Sequence, residues 1–351
     1  MEEYNYDYLQ EVTDPAAASK RKKKLPGWAV WVLVLVGVLA VSLLFGNLNV
    51  QIGGKEDPLF TTEGGDYVGV LYVEGTIQAS NADALGNASG YQHWYAMEAI
   101  EEMMADETNK GILLYVNTPG GAVYEADELY QKLMEYKETT GRPIYTYMAN
   151  QATSAGYYIS MTSEHVMANR NCWTGSIGVT LNTMFDVSGL LEKFGVTTVT
   201  ITSGENKSMG SSFEPMTEEQ KAILQSLVDD SYSRFVDVVV KGRSMAEERV
   251  RELADGRIYT ARQALELDLI DQICGWEEAV AVMRQDCGLS EDVEFVDLYY
   301  YEEMSLANLF GAISTLVQKA EAPADSDLAA LVRLMEQQQT FEVTYCCPVV
   351  K

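Results

Sequence analysis

Histidine is scarce in this chain of 351 residues, which contains only His93 and His165. An imidazole is the usual proton acceptor for a nucleophilic serine near neutral pH. His165 lies beyond a predicted short helix, and His93 precedes another helix in a surface-like segment. Because neither histidine is well placed as a base, the sequence gives little support to a Ser-His-Asp triad.

Basic residues are outnumbered by acidic ones. The chain has 25 lysines and arginines against 52 aspartates and glutamates, which gives a formal net charge of −27. A protein that binds nucleic acid needs a basic face to neutralise the phosphates. The acidic balance therefore argues against a nucleic-acid partner, and we interpret it as a property that keeps the protein soluble.

Cysteine is present, but without a metal-binding spacing. The five cysteines, Cys172, Cys274, Cys287, Cys346 and Cys347, form no CxxC pair, so a zinc site is not expected. Their odd number and spacing specify no disulfide, and buried or free thiols are the simpler interpretation. A GxGxxG fingerprint and a Walker A loop are also lacking. The sequence thus predicts no metal and no cofactor.

A long apolar run near the N-terminus is the clearest physical signal. Trp28–Phe45 is an unbroken run of 18 residues without a charge, about 27 Å long as a helix and thus long enough to span a bilayer core. The basic segment KRKKK directly precedes it, which predicts a cytoplasmic N-terminus. We expect an uncleaved signal anchor, with a cleaved signal peptide as the alternative. The predicted protein is a single-pass protein of the cell membrane with its main domain outside the cytoplasm.

The anchor divides the chain into predicted regions. These are a cytoplasmic tail at 1–24, the transmembrane segment at 25–46, a stalk at 47–64, a folded domain at 65–300 and a C-terminal extension at 301–351.

Strand-like and helix-like patterns alternate along the folded domain. Strands are predicted at Tyr67–Ile77, Gly111–Asn117, Pro143–Met148, Val196–Ile201 and Val293–Tyr301. Helices are predicted at Gln92–Asp106, Glu125–Thr139, from Ser154 onwards, and at Thr217–Lys241, Glu247–Ala254 and Ala261–Leu267. Thr217 and Gln220 resemble a capping box. This alternation predicts an α/β fold with crossover connections.

Two segments carry residue types suited to acyl chemistry. The glycines of Pro119-Gly120-Gly121 lie in a predicted turn between a strand and a helix, where backbone N–H groups can point at an oxyanion. An ordinary strand–turn–helix corner is the alternative. Ser154 lies among small residues at a helix start, where it is either a nucleophile or, more commonly, a helix cap.

A lysine is the alternative to a histidine as the base, provided that burial lowers its pKa from about 10.4 towards neutrality. Lys207 lies in the loop TSGENKSMGSSF, flanked by small residues, whereas most other lysines after the anchor fall on polar helix faces. The alternative is that Lys207 is an ordinary lysine on a solvent-exposed loop. Ser176, in the tight turn TGSIG, is either a turn residue or a serine that orients the base.

Five segments together resemble a known family. VNTPGG, ATSAGYYIS, TGSIGV, SGENKSM and ADGRIYTARQALELDLID occur in the order and spacing typical of the signal peptide peptidase A family, peptidase family S49. The similarity covers about residues 66–285, and the predicted anchor also fits. The resemblance implies a membrane-anchored Ser/Lys protease with a ClpP/crotonase-like α/β fold of repeated ββα-type units, so that 65–300 is the protease domain.

The resemblance also assigns roles to individual residues. It places the nucleophile at Ser154, the general base at Lys207 and the base-orienting serine at Ser176. It places the oxyanion donors at the glycine pair and at the residue after the nucleophile, which are Gly120, Gly121 and Ala155. Family members often have glycine where this chain has Ala155, and an alanine still supplies an N–H group.

The resemblance further implies apolar peptide substrates, such as remnant signal peptides in or near the membrane, and a ring-shaped homo-oligomer such as an octamer. We expect substrate or a neighbouring subunit to help bury Lys207, which an exposed loop cannot do alone. Two other functions stay open. One is a catalytically silent membrane scaffold of the same fold, and the other is a crotonase-type acyl-CoA enzyme.

The C-terminal stretch FEVTYCCPVVK is apolar and extended in character. Such a segment can add as a strand to a substrate groove, where it would act as a self-substrate or a plug. An edge strand or a loose tail is the alternative.

Overall fold

The computed structural model describes residues 59–62, 64–81, 88–181, 183–300 and, for the backbone alone, 343–346. The predicted tail, the predicted transmembrane segment, most of the predicted stalk and most of the C-terminal extension lie outside these residues.

The structure corrects the predicted localisation. Within the described part of the chain, no helix is both long and apolar enough to cross a bilayer. The prediction of a single-pass membrane protein with an extracytoplasmic catalytic domain is therefore withdrawn. The segment on which it was based, Trp28–Phe45, lies outside the described residues.

Strands and helices alternate through most of the described chain. The strands are β1 (Tyr67–Glu74), β2 (Asn109–Thr118), β3 (Gly120–Ala122), β4 (Ile144–Thr153), β5 (His165–Ala168), β6 (Trp173–Gly175), β7 (Thr180–Leu181), β8 (Ile258–Thr260), β9 (Gln272–Ile273), β10 (Glu294–Leu298) and β11 (Val343–Cys346). The helices are α1 (His93–Ala105), α2 (Val123–Thr140), α3 (Ala155–Ser160), α4 (Ser188–Lys193), α5 (Glu218–Arg243), α6 (Glu247–Leu253), α7 (Ala261–Glu266) and α8 (Trp276–Asp286).

The main sheet is almost entirely parallel. Its order is β10-β1-β2-β4-β5-β9, with β6 paired to the second half of β4 and β8 paired antiparallel to β6. The carboxyl ends of β1, β2, β4 and β6 therefore lie at the same edge of the sheet. In open parallel sheets, this edge is where ligands usually bind.

Both faces of this sheet are covered by helices. On one face, Leu71 and Ile112 belong to a buried cluster with residues of α1, α2 and α5. On the other face, Val70 and Leu113 pack with Met283 of α8. Since successive strand residues point to opposite faces, the apolar runs of β1 and β2 supply both layers. The mixed α/β fold predicted from the sequence is confirmed.

Most of the predicted elements are confirmed within a few residues. The predicted capping box is also present, and in it Thr217 Oγ1 accepts a hydrogen bond from the Gln220 N–H at 3.1 Å.

The strand predicted at Val196–Ile201 is wrong. This segment has no regular structure, and Val199 and Ile201 are 81% and 93% exposed. Its β-branched residues favour an extended chain, but they form a strand only where a partner strand and a buried face exist.

A second, antiparallel sheet has the order β3-β11-β7. The predicted C-terminal strand is thus confirmed, but it is the central strand of this sheet rather than an edge strand. The order β2-β3-α2 is one clear ββα unit, whereas β4 runs directly into α3, so the repetition of such units is not seen there.

Candidate active site

Two serines directly follow the ends of paired strands. β4 ends at Thr153 and β6 ends at Gly175, and these two residues are partners in parallel register. The Ser154 N–H donates to the Gly175 carbonyl at 2.7 Å. Ser154 and Ser176 therefore lie close together at the carboxyl edge of the sheet, where they are 1% and 7% exposed.

Ser154 has a backbone conformation that residues with a side chain rarely adopt, with φ 57° and ψ −118°. Such a conformation costs about 1–3 kcal/mol and is found mainly at functional sites. Ser154 stands at the N-cap position of α3, yet its side chain makes no capping hydrogen bond. The helix-cap interpretation is therefore wrong. Since some hydrolases carry their nucleophilic serine on such a sharp turn from strand to helix, Ser154 is a candidate nucleophile.

The glycine pair forms the short strand β3 rather than the predicted turn. The Ile77 N–H donates to the Gly120 carbonyl at 2.9 Å, and the Ala122 N–H donates to the Ile77 carbonyl at 2.8 Å. In a strand, the N–H and C=O of one residue point to one edge and those of the next residue to the other edge. The Gly121 N–H therefore points away from Ile77. A Cβ on Gly121 would lie 1.8 Å from the Ile77 carbonyl oxygen, so only glycine fits there.

β11 runs along the edge to which the Gly121 N–H points. Tyr345 is the antiparallel partner of Gly121, and on the other side of β11 Thr344 is paired with Thr180 of β7. β7 begins shortly after Ser176. The chain thus places one of its own strands in the groove between the glycine strand and the segment that follows Ser176. We call this space the β3–β7 groove.

Two buried threonines fix the peptide unit that joins Pro119 to Gly120. Thr118 Oγ1 accepts from the Gly120 N–H at 3.0 Å, and Thr153 Oγ1 donates to the Pro119 carbonyl at 3.1 Å. Because Thr153 directly precedes Ser154, these bonds tie the glycine strand to the strand end that carries the serine. Sequence analysis missed both threonines, although their places at the ends of two predicted strands were a usable signal.

The residues after Ser154 complete this arrangement. Ala155 is the first residue of α3, so its N–H has no acceptor within the helix. A Cβ on Gly156 would lie 2.6 Å from Thr118 Cγ2, which explains why α3 needs a glycine to pack against the end of β2. Of the three predicted oxyanion donors, Gly120, Gly121 and Ala155, the Gly120 N–H is already bonded to Thr118 Oγ1.

Lys207 does not join this group in a single copy of the chain. It lies on an exposed turn, and its ammonium makes no hydrogen bond or ion pair with any residue that the structure describes. The turn is attached to the start of α5. The Gln220 side chain donates to the Glu205 carbonyl at 3.1 Å, and the Asn206 side chain donates to Glu219 Oε1 at 3.2 Å.

The segment that contains Lys207 exposes many large apolar side chains. Helix α4 within it has no buried residue. The exposed apolar residues are Met184, Phe185, Leu190, Phe194, Val196, Val199, Ile201 and Phe213. We call residues 184–213 the apolar segment. Exposed apolar surface of this extent is typical of a contact site for another protein.

The histidine and cysteine side chains, which are the other groups that could act chemically, are either engaged with neighbouring side chains or unpaired. The His93 Nε2 lies 2.7 Å from Glu128 Oε2, and the His165 ring stacks on Tyr145 at 5.8 Å. Burial raises the pKa of the Cys172 thiol to about 12, and the three cysteines for which the structure gives side chains are unpaired. Among the described residues, no cluster of three or more histidine, cysteine, aspartate or glutamate side chains could hold a metal ion.

Comparison of the sequence with known proteins finds matching families and relatives. The model of peptidase family S49 matches residues 136–290, and that of the Clp proteases matches residues 89–174. The chain is 40% identical over 221 residues to “Putative signal peptide peptidase SppA” of Enterococcus faecium, an alignment that covers 63% of this chain and 64% of that protein, less than two thirds of its length.

Two further relatives are matched over more of their length. A protein of Synechocystis sp. named as a putative protease is 37% identical over 226 residues, or 64% of this chain and 79% of the relative. A protein of Methanocaldococcus jannaschii, also named as a putative protease, is 28% identical over 284 residues. The alignment covers 77% of this chain and 89% of that protein. These matches show that the chain has a Clp protease-like domain and belongs to peptidase family S49, the family of signal peptide peptidase A.

Proposed function

We propose that the protein is a serine endopeptidase with a Ser/Lys dyad that cleaves apolar peptides, such as remnants of signal peptides after their release. One observation carries the proposal. β11 pairs through its backbone with Gly121, beside the strained Ser154. An extended substrate that adds to β3 in the same way presents a carbonyl to the Gly121 N–H. The groove then recognises peptide backbone, as an endopeptidase requires.

The proposed chemistry uses these groups as follows. The Ser154 hydroxyl attacks the substrate carbonyl carbon while neutral Lys207 accepts the hydroxyl proton. The Gly121 and Ala155 N–H groups donate to the oxyanion, and losing one such donor typically costs about 10²–10³ in rate. The tetrahedral intermediate then expels the amine, which takes its proton from Lys207. A water molecule deprotonated by Lys207 hydrolyses the Ser154 ester and releases the acid.

Ser176 has an orienting role in this scheme. Its φ of 50° and the bond from its N–H to the Arg257 carbonyl at 2.8 Å hold it in a fixed place next to Gly175. From there its hydroxyl accepts a hydrogen bond from the Lys207 ammonium once that lysine reaches the groove.

We infer that a neighbouring copy of the chain brings Lys207 into place. A lysine acts as a base only where desolvation favours its neutral form, and Lys207 is exposed in one copy. The apolar segment offers the surface that a second copy would cover. A ring-shaped homo-oligomer in which this segment of one subunit lies against the β3–β7 groove of the next satisfies both requirements.

A catalytically silent scaffold is the second candidate. It is favoured by one observation, that the Lys207 ammonium makes no hydrogen bond or ion pair with a described residue in a single copy. Only the peptidase would hydrolyse peptides, so a cleavage assay separates the two candidates.

We expect the full chain to cleave a fluorogenic apolar peptide, and a variant that ends at residue 342 to cleave it several-fold faster. The reason is that β11 lies where the substrate strand is proposed to bind, so the two compete. The measurement is initial rate against peptide concentration for both proteins, with an acidic peptide as the control substrate.

A truncated protein that cleaves more slowly than the full chain would mean that β11 is part of the groove rather than a competitor. Absence of cleavage by both proteins would favour the scaffold.

A further inference from the structure

A bulge interrupts the backbone pairing of β4 with β2 shortly before Ser154. Val116 of β2 is paired with Met148 of β4, and the next pair is Thr118 with Ala152. A step of two residues on β2 therefore faces a step of four residues on β4, and such a bulge bends the strand that carries it. Within the described chain, Thr118 and Ala152 are the one register pair between these strands beyond the bulge. Backbone pairing alone thus gives the end of β4 little support from β2.

A side chain supplies a further link at this point. Thr153 is the last residue of β4 and is fully buried. Its Oγ1 donates to the Pro119 carbonyl at 3.1 Å and accepts from the Gln151 side chain at 3.0 Å. A hydroxyl has a single proton, and the Gln151 amide lies on its acceptor side, so that proton goes to the Pro119 carbonyl.

The peptide unit between Pro119 and Gly120 is held at both ends. Its carbonyl accepts from Thr153 Oγ1, and its N–H donates to Thr118 Oγ1 at 3.0 Å. Gly120 has a φ of 109°, which residues with a side chain rarely adopt. Because a glycine permits many backbone conformations at little steric cost, the two threonine hydroxyls, and not steric limits, determine how this peptide unit is oriented.

This peptide unit leads directly into β3. The outer edge of β3 is bonded to Ile77, whose carbonyl accepts from the Ala122 N–H at 2.8 Å. The inner end of β3 is bonded through Pro119 to Thr153, and Thr153 is covalently joined to Ser154. A single side chain therefore connects the candidate nucleophile with the strand that carries a proposed oxyanion donor. A misplacement of about 1 Å between such groups can lower a rate by about 10²-fold.

We propose that Thr153 is a positioning residue, whose hydroxyl keeps β3 aligned with Ser154 so that the Gly121 N–H meets the oxyanion formed there. Thr153 does not touch the substrate in this scheme and acts through the Pro119 carbonyl. The assignment rests on the proposed function, because it takes Ser154 as the nucleophile and β3 as the source of an oxyanion donor. It adds that their alignment depends on a buried hydroxyl as well as on the sheet.

The test compares three substitutions in the full chain, with a fluorogenic apolar peptide as the substrate. Thr153→Val nearly keeps the shape of the side chain and removes the hydroxyl, whereas Thr153→Ser keeps the hydroxyl and removes the methyl group. Thr146→Val is the matched control. Thr146 is also fully buried, near the beginning of β4, and its Oγ1 lies 2.7 Å from Ser163 Oγ.

Thr153→Val should lower kcat by about 10- to 100-fold and change KM by less than about threefold. KM should change little because β3 stays bonded to Ile77 and can still pair with an extended peptide. Thr153→Ser and Thr146→Val should each keep kcat within about threefold of the parent value. Hydrogen exchange followed by mass spectrometry should be faster at residues 118–122 in Thr153→Val than in Thr146→Val, and thermal unfolding shows whether each variant is folded.

Thr118→Val provides a second variant if Thr153→Val does not fold. It removes the bond at the other end of the same peptide unit. It should therefore also lower kcat at a nearly constant KM.

A kcat of Thr153→Val equal to that of the parent would overturn the positioning role. An equal loss in Thr146→Val would do the same, as would a loss in Thr153→Ser as large as that in Thr153→Val, or, where Thr153→Val does not fold, a parent-like kcat of Thr118→Val. In all these cases the parent protein still cleaves the peptide, so the proposed function stands. If the parent protein cleaves no peptide, the proposed function fails, and the role of Thr153 in it fails as well.

Discussion

Replacing Ser154 by alanine is expected to lower kcat/KM for an apolar peptide by about 10⁴-fold or more, the loss seen when a nucleophile is removed from a serine peptidase. Ser154 is the serine that stands on the strained turn between β4 and α3, next to the Gly121 and Ala155 N–H groups. Fold and stability should change little, because the side chain makes no capping bond that alanine would remove. The measurement is steady-state cleavage together with circular dichroism.

Ser160→Ala is the matched control for this variant. Ser160 is buried on the same short helix, and its Oγ donates to the Gly156 carbonyl at 2.7 Å. This replacement should cost some stability and leave kcat/KM within a few-fold of the parent. Similar rates for Ser154→Ala and the parent protein would show that another group is the nucleophile or that a contaminant cleaves the peptide.

Replacing Lys207 by alanine is expected to cause a loss of about the same size, because Ser154 would lose the base that accepts its proton. Lys221→Ala is the matched control. Lys221 is an exposed lysine of α5 outside the apolar segment, and its ammonium lies 2.7 Å from Glu218 Oε1 of the same helix. This control variant should keep its activity, and cleavage by the two variants is compared at equal concentration.

Mixing two inactive variants tests whether Lys207 acts in a neighbouring copy. When Ser154→Ala and Lys207→Ala chains exchange subunits, about a quarter of the sites in a random ring contain both native residues. Activity should therefore return to about a quarter of the parent value. No recovery in rings shown to contain both chains would place Lys207 and Ser154 in the same copy. Full activity of Lys207→Ala alone would contradict the dyad itself.

Much of the fold could be predicted from the sequence because its buried elements have strong patterns. β1, β2 and β4 are apolar on both faces, and α1 and α2 have an apolar side, so their positions follow from periodicity. The second sheet could not be predicted in the same way. β3 and β7 have three and two residues, and their pairing with a strand near the C-terminus depends on contacts distant in sequence.

The candidate site was predictable in its residue types and less so in its geometry. The sequence pointed to the glycine pair and to Ser154, whose neighbours are small. It could not separate Gly120 from Gly121, because that choice depends on the direction of one N–H group relative to Ile77. Nor could it exclude a helix cap, because only the observed backbone angles and the missing capping bond do so.

The apolar segment shows where local patterns fail. The alternation of valine, threonine and isoleucine at 196–201 favours a strand, yet no partner strand is present among the described residues and the side chains are exposed. The β-propensity of a residue reports how well it fits an extended chain. It does not report whether a partner strand or a packing surface is present. The same limit applies to Lys207, whose surroundings in a single copy do not include the serine that it is proposed to activate.

The most direct measurement is the reaction of the protein with a fluorophosphonate probe, followed by mapping of the labelled residue by mass spectrometry. We predict one label per chain, on Ser154, and a much lower labelling rate in the Lys207→Ala variant, since the probe reports an activated serine hydroxyl. Labelling of another serine, absence of any label, or an equal labelling rate without Lys207 would contradict the proposal that Ser154 is a nucleophile activated by Lys207.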